Sequence, residues 1–192
     1  MPPKCRFTRE EIIQAALDLT AEKGVGALTA RGLAQRLGSS AKPIFGLFAN
    51  MEEVQQEVVK AANLRYQEYL RQDMSAGRYP PYKASGMAYI RFAREQKELF
   101  KLLFMRDRTH EEKVAGDELE ALLGLIQKSM GLSRDDAYRF HLEMWIYVHG
   151  IATMIATAYL EWDMDFISAA LTDAYQGLRL RFLPKETEGE RK

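Results

Sequence analysis

The sequence predicts an all-α fold, with an N-terminal helix-turn-helix module followed by a C-terminal helical bundle. Three observations carry this expectation. Apolar residues recur at three- and four-residue spacing along nearly the whole chain, and no stretch shows the strict alternation of a half-buried strand. Thr, Ser and Asn precede several of these periodic stretches, where their side-chain oxygens can cap free N–H groups. Gly and Pro then break the pattern, most clearly in SAGRYPP at residues 75–81.

The first helix has the clearest start. Thr8 and Glu11 form a capping box, Phe7 and Ile12 stand at the positions of a hydrophobic staple, and Ile12, Ala16 and Leu19 continue one stripe towards Gly24. A second helix over residues 29–37 carries Leu33 and Leu37 one turn apart, and Gly38 supplies its C-terminal stop. Ser40 is the expected N-cap of a brief third helix. Pro43 then falls at its third position, where a missing N–H breaks no bond, and Ile44 and Phe48 share a face. Two short helices around a tight turn make a helix-turn-helix, the second of which would enter a major groove.

Asn50 caps a long fourth helix with Glu52 and Glu53 in its first turn, where the helix dipole favours negative charge. Val54, Val58, Ala61, Leu64 and Tyr69 keep one side apolar to about Arg71, so this helix is the natural mechanical link between two domains. The expected division is residues 1–50 for the DNA-binding domain, 51–72 for the connecting helix, 73–183 for ligand binding and dimerisation, and 184–192 for a charged, disordered tail. Beyond Tyr82, Ala88, Tyr89 and Phe92 line a fifth helix, Leu99 to Phe104 crowd a short sixth, and Leu119, Leu122, Leu123, Ile126 and Met130 mark a seventh. Ser133 with Asp136 opens an eighth helix expected to run to about Leu160 and to be buried on every side, being apolar all round. Asp163 or Asp165 opens the ninth, whose stripe contains small residues and Gly177.

The formal net charge is zero, so total charge does not advertise nucleic-acid binding. Its distribution is more telling. Up to Asn50 there are seven bases (Lys4, Arg6, Arg9, Lys23, Arg31, Arg36, Lys42) and four acids (Glu10, Glu11, Asp18, Glu22), which makes that end modestly basic. Residues 1–6 read as a frayed arm. Cys5 is the sole cysteine, which excludes an intrachain disulfide and fits a reducing cytoplasm; no secretory signal and no membrane span are expected. The uncharged run at residues 144–160 barely reaches the shortest span and contains His149, Gly150, Thr153 and Thr157, so it reads as a buried helix rather than a membrane span.

The N-terminal pattern resembles the TetR family of transcriptional repressors. The resemblance rests on Gly24, Thr29, Gly38 and Ser40, the block Ile44, Phe45, Gly46, Leu47 and Phe48, and then Asn50, Met51, Glu52 and Glu53. Three departures from the family pattern stand out: Phe45 replaces a Tyr, Gly46 and Leu47 replace a polar or His pair, and Met51 replaces a Lys. The second half is similar to a C-terminal branch with a Trp followed by His-Gly, here Trp145, His149 and Gly150.

That resemblance implies double-stranded operator DNA, a small-molecule effector and a second copy of the chain as partners. The DNA-contacting set it points to is Thr29, Arg31, Ser39, Ser40, Ala41, Lys42, Pro43, Phe45 and Gly46. The expected ligand-contacting set is Tyr89, Phe92, Phe100, Phe104, Trp145, His149 and Met154, between helices five to eight. A homodimer interface of helices eight and nine is expected to include Ile155, Ile167, Ala170, Leu171, Ala174 and Leu178.

Neither a catalytic constellation nor a cofactor or metal site can be assembled. His141 and His149 lie eight positions apart on one helix, about 12 Å, too far to ligate one ion together. There is no P-loop, no dinucleotide-binding glycine pattern and no Glu-x-x-His pair. A helical interaction module that does not bind DNA and a helical-bundle enzyme are the alternatives to a ligand-responsive repressor.

Overall fold

The computed structural model describes residues 7–107 and 117–182. The arm at residues 1–6 with Cys5, and the charged tail, lie outside the described residues. Within them the chain is helical throughout: α1 (Arg9–Lys23), a 3-10 turn (Val25–Ala27), α2 (Ala30–Arg36), α3 (Lys42–Phe45), α4 (Met51–Ser75), α5 (Pro81–Glu95), α6 (Lys97–Phe104), α7 (Asp117–Met130), α8 (Arg134–Ala156) and α9 (Met164–Phe182).

Local capping chemistry places most helix starts. Thr8 and Glu11 make the full reciprocal box, Asn50 Oδ1 accepts from Glu53 N–H at 2.9 Å, and Ser133 Oγ accepts from Asp136 N–H at 3.1 Å. Asp163, rather than Asp165, opens α9: its Oδ1 accepts from the Phe166 N–H at 2.7 Å.

Three boundaries differ from expectation. Ser40 does not cap α3; Ala41 holds that position without a side-chain bond, and Pro43 becomes the second helical residue. Gly38, at φ 58°, sends the chain through a left-handed turn closed by Ser39 N–H on Ala34 O at 3.0 Å, so Ser40 is still spent on the exit from that turn. The connecting helix continues to Ser75, four residues past Arg71, because nothing breaks it before Gly77 at φ 67°. Helix α8 stops at Ala156, not Leu160. Ala158 takes φ 55° and Tyr159 N–H closes on Met154 O at 2.9 Å, a left-handed cap built without glycine.

One hydrophobic core runs through both ends of the molecule. Ile12, Leu33, Ile44 and Phe48 of the N-terminal module join Val54 and Val58 of α4, and these continue into Ile90, Phe92, Leu99 and Phe100. Helix α6 reaches α1 directly. Gly24 (φ 78°) ends α1 where a Cβ would lie 2.7 Å from Glu98 Oε2, so a bare backbone lets the two helices meet. A three-helix module too small to bury much apolar surface is thus braced by α4 and α6. A second cluster of Leu123, Ile126, Ala137, Phe140 and Met144 fills the distal end between α7, α8 and α9.

Helix α8 is not buried all round. Tyr138, Leu142, Trp145, Ile146 and Met154 are exposed, as are Phe166 and Leu180 on α9. Its inner face (Phe140, Met144, Val148, Ile151, Ile155) packs as the sequence suggests, while the outer face is apolar and bare in the single chain.

Candidate functional site

The N-terminal module presents α3 and the preceding turn on its surface. Thr29 caps α2 by accepting from Gly32 N–H at 3.0 Å, and Leu33 and Ile44, each fully buried, hold α2 and α3 together. Arg31, Ser39 and Ala41 border one shallow depression between α2 and the turn. Ser40, Lys42, Phe45 and Gly46 are exposed beside it, with Pro43 half-buried. Of the candidate residues, the structure brings Arg31, Ser39 and Ala41 together, and the others follow on the turn and α3.

The module's cations divide into two groups. Arg36 donates to Glu22 at 2.5 Å and lies 3.9 Å from Asp18, so it is spent within the module. Arg9 is similarly committed: it donates to Leu47 O at 2.9 Å and Glu53 Oε1 at 2.8 Å, lies 3.5 Å from Glu57, and sits 4.2 Å above the Phe48 ring. Its bonds hold the Glu53 carboxyl below the usual range, after the larger effect of the Ala49 N–H on the same group. Arg9 thereby ties the starts of α1 and α4 to the end of the turn that follows α3. Arg31 and Lys42 have no partner among the described residues. Met51, where a lysine was expected from the resemblance, packs half-buried against the core.

The second half holds a partly open cavity of about 1010 Å³ walled by α4, α5, α7, α8 and α9. Helix α6 does not line it, contrary to the expected position between helices five to eight. Of the expected contact residues, Tyr89 and Trp145 reach the cavity. Phe92 and Phe100 are fully buried core residues, and Phe104 stands behind the wall, 4.8 Å from the Tyr89 ring and 5.2 Å from that of Tyr66. His149 also stands behind it. Its Nδ1 is 2.8 Å from the Tyr89 hydroxyl, and its ring stacks on Trp145 at 4.9 Å and 14°. Met154 is exposed and does not line the cavity.

Several lining residues were missed: Tyr66, Leu70 and Met74 on α4, Tyr82 on α5, His141 on α8 and Tyr175 on α9. Tyr66, Leu70 and Met74 recur every four residues, a second stripe that a helix ending at Arg71 conceals. Tyr82 Oη lies 3.1 Å from His141 Nδ1, repeating the phenol–imidazole pairing seen at His149. Burial pushes both imidazoles below the ordinary histidine range, so both are neutral at pH 7. In each pair the tautomer of the neutral ring decides whether Nδ1 accepts from the phenol or donates to it. Burial also raises the Tyr66 and Tyr82 phenols, and the carboxylate of Glu118 adds to the rise at Tyr66.

Residues 12–58 match the family model for bacterial regulatory proteins of the tetR family, and residues 82–175 match that for the tetracyclin repressor-like C-terminal domain. The chain belongs to the TetR family. The two matched segments cover the helix-turn-helix with the start of α4, and α5 through most of α9, so both halves of the all-α architecture are those of a TetR regulator. No individually curated protein matches the chain.

The expected dimer residues separate into two sets. Ile155, Ile167 and Leu171 point into the protomer's own core, which removes them from any outer contact face. Ala170 is half-buried, and Ala174 and Leu178 pack against the distal cluster. The outward apolar ridge is instead Tyr138, Leu142, Ile146 and Met154 with Trp145 beside it, and Gly150 lies among them with open space where a Cβ would project. Among the described residues no group of His, Cys, Asp and Glu is placed to hold a metal, and no helix is long and apolar enough to cross a membrane.

Proposed function

We propose that this chain is a transcriptional repressor of the branch carrying Trp-His-Gly, binding a palindromic operator as a homodimer and released when a small molecule fills the cavity between its helices. One observation carries the reading: α4 belongs to both sites. Its first half, Val54 and Val58, packs in the core of the helix-turn-helix, and its second half, Tyr66, Leu70 and Met74, forms a wall of the cavity. A ligand that fits one tilt of this helix better than another shifts the population of that tilt, and only by its difference in affinity. Arg9 carries the tilt to the recognition turn. Two recognition helices reading half-sites about 34 to 36 Å apart then lose their match to the operator.

Dimerisation is supported by the bare apolar ridge of α8, since a soluble monomer seldom exposes a contiguous apolar stripe of this kind. The Gly150 gap lets a partner helix approach closely. Anisotropy of the full-length protein on an operator fragment identified by genomic footprinting tests the reading directly. Salt-sensitive, sequence-selective binding supports it, and absence of any salt-dependent DNA retention defeats it in favour of an interaction module.

Within this function Lys42 is the first residue to test. A base contact to guanine predicts that Lys42→Ala costs ~1 to 3 kcal/mol and relaxes preference at one operator position, whereas a phosphate contact predicts equal weakening at all sites with the salt slope reduced by ~1. Unchanged affinity would remove Lys42 from the interface. Phe45, about half exposed (49%), cannot donate a hydrogen bond as a tyrosine would. Phe45→Tyr is expected to tighten binding by ~0.5 to 1.5 kcal/mol with sequence preference unaltered, and weaker binding in the same assay would place Phe45 away from the backbone.

A further inference from the structure

We propose that the cavity takes a lipophilic organic cation, its positive charge seated between the rings of Tyr66 and Tyr89 and the carboxylate of Glu118. This rests on reading the cavity as the effector site. Five aromatic side chains line it (Tyr66, Tyr82, Tyr89, Trp145 and Tyr175), and the negative faces of such rings attract a cation most when water is excluded. At the Tyr66 end two rings meet edge to face with centroids 5.8 Å apart, backed by Phe104, which forms an aromatic corner. The polar groups there are also uneven. The Tyr89 hydroxyl is engaged by His149, while the Tyr66 hydroxyl and Glu118 have no hydrogen-bond or ion-pair partner among the described residues, although both border the cavity. The carboxylate lies close enough to the phenol to add to the rise that burial causes, which puts one negative charge beside the Tyr66 ring.

The basic side chains at the cavity do not cancel that charge. Arg71 is largely exposed (71%) and paired with Glu68. Lys83 donates to Thr172 Oγ1 at 2.8 Å and lies 5.0 Å from the centre of the Tyr79 ring. Lys128 is ten residues from Glu118 along α7, about 15 Å, and so marks the opposite pole. His141 and His149 are neutral and add no positive charge. A cation is therefore drawn to the Tyr66 end, and the rest of its body fills the space among Leu70, Met74, Met144 and Val148.

Two ions of nearly the same shape and opposite charge provide the test. The purified full-length protein is titrated by calorimetry with tetraphenylphosphonium and with tetraphenylborate, and the fluorescence of Trp145 at the cavity wall is followed in parallel. The phosphonium is expected to bind at least about 10-fold more tightly, equivalent to ~1.4 kcal/mol. Glu118→Gln, on the surface-facing side of the wall, should remove most of that preference by weakening the phosphonium alone. Equal or tighter binding of the borate, or an equal loss for both ions in the variant, would overturn the cation assignment and leave the cavity as an effector site. Binding of neither ion would overturn the assignment and the cavity reading together.

Discussion

Ile146→Glu is expected to turn a dimer into folded monomers. Ile146 is two-thirds exposed (66%) in the middle of the α8 ridge, with Leu142 one turn before it and Gly150 one turn after. A polar residue there costs the isolated protomer little, since surface substitutions remote from special features usually fall within ~0.5 kcal/mol. The dimer pays far more. In a two-fold interface each copy brings the same change, and an unpaired carboxylate buried between apolar helices costs several kcal/mol. Sedimentation velocity should show the mass halved, while the circular dichroism spectrum stays helical. An unaltered dimer would mean that another face associates. Ala174→Glu makes an instructive contrast, because Ala174 packs against the distal cluster of its own protomer. That variant is expected to lose stability rather than release a clean monomer.

The same contrast explains what could be read from residues alone. Thr8, Asn50 and Ser133 each cap the helix expected of them, because an N-cap bond is made within three residues and needs no tertiary partner. Ser40 failed for an equally local reason that involves two signals at once: the left-handed exit at Gly38 used the residues that would have begun the helix. The end of α8 had no signal to read. Ala158 adopts a conformation usually left to Gly or Asn, and no side-chain pattern announces it. Which side of an all-apolar helix meets its own chain is likewise invisible to periodicity, and the exposed ridge of α8 was hidden for that reason. The cavity was legible only as a region. Tyr89 and Trp145 line it, but aromatic residues at helical spacing look alike whether they wall a cavity or fill a core, and Phe92 and Phe100 proved to be core.

Phe92 accordingly changes role and carries the largest expected effect on stability. Fully buried on α5, it meets the rings of Tyr66 at 5.4 Å and Tyr69 at 5.3 Å, both on α4. It is a strut of the α4–α5 seam, which holds the cavity-lining half of the connecting helix against the second half of the molecule. Arg91 reinforces the same seam by donating to Asp73 Oδ2 at 3.1 Å and lying 4.2 Å from the Tyr69 ring centre. Truncating a buried Phe to Ala removes its transfer energy and leaves a void that its neighbours fill only in part, so Phe92→Ala should lower unfolding free energy by ~3 to 5 kcal/mol in chemical denaturation. The milder Phe92→Leu keeps most of the volume and allows the functional question to be asked of a folded protein. Because Phe92 does not line the cavity, its effector affinity in the absence of DNA should change little, while the factor by which effector weakens operator binding should shrink. A direct contact role would instead reduce effector affinity and leave that factor alone. Measuring effector affinity with and without operator separates the two, and an unchanged factor in Phe92→Leu would show that the tilt of α4 is not transmitted through this seam.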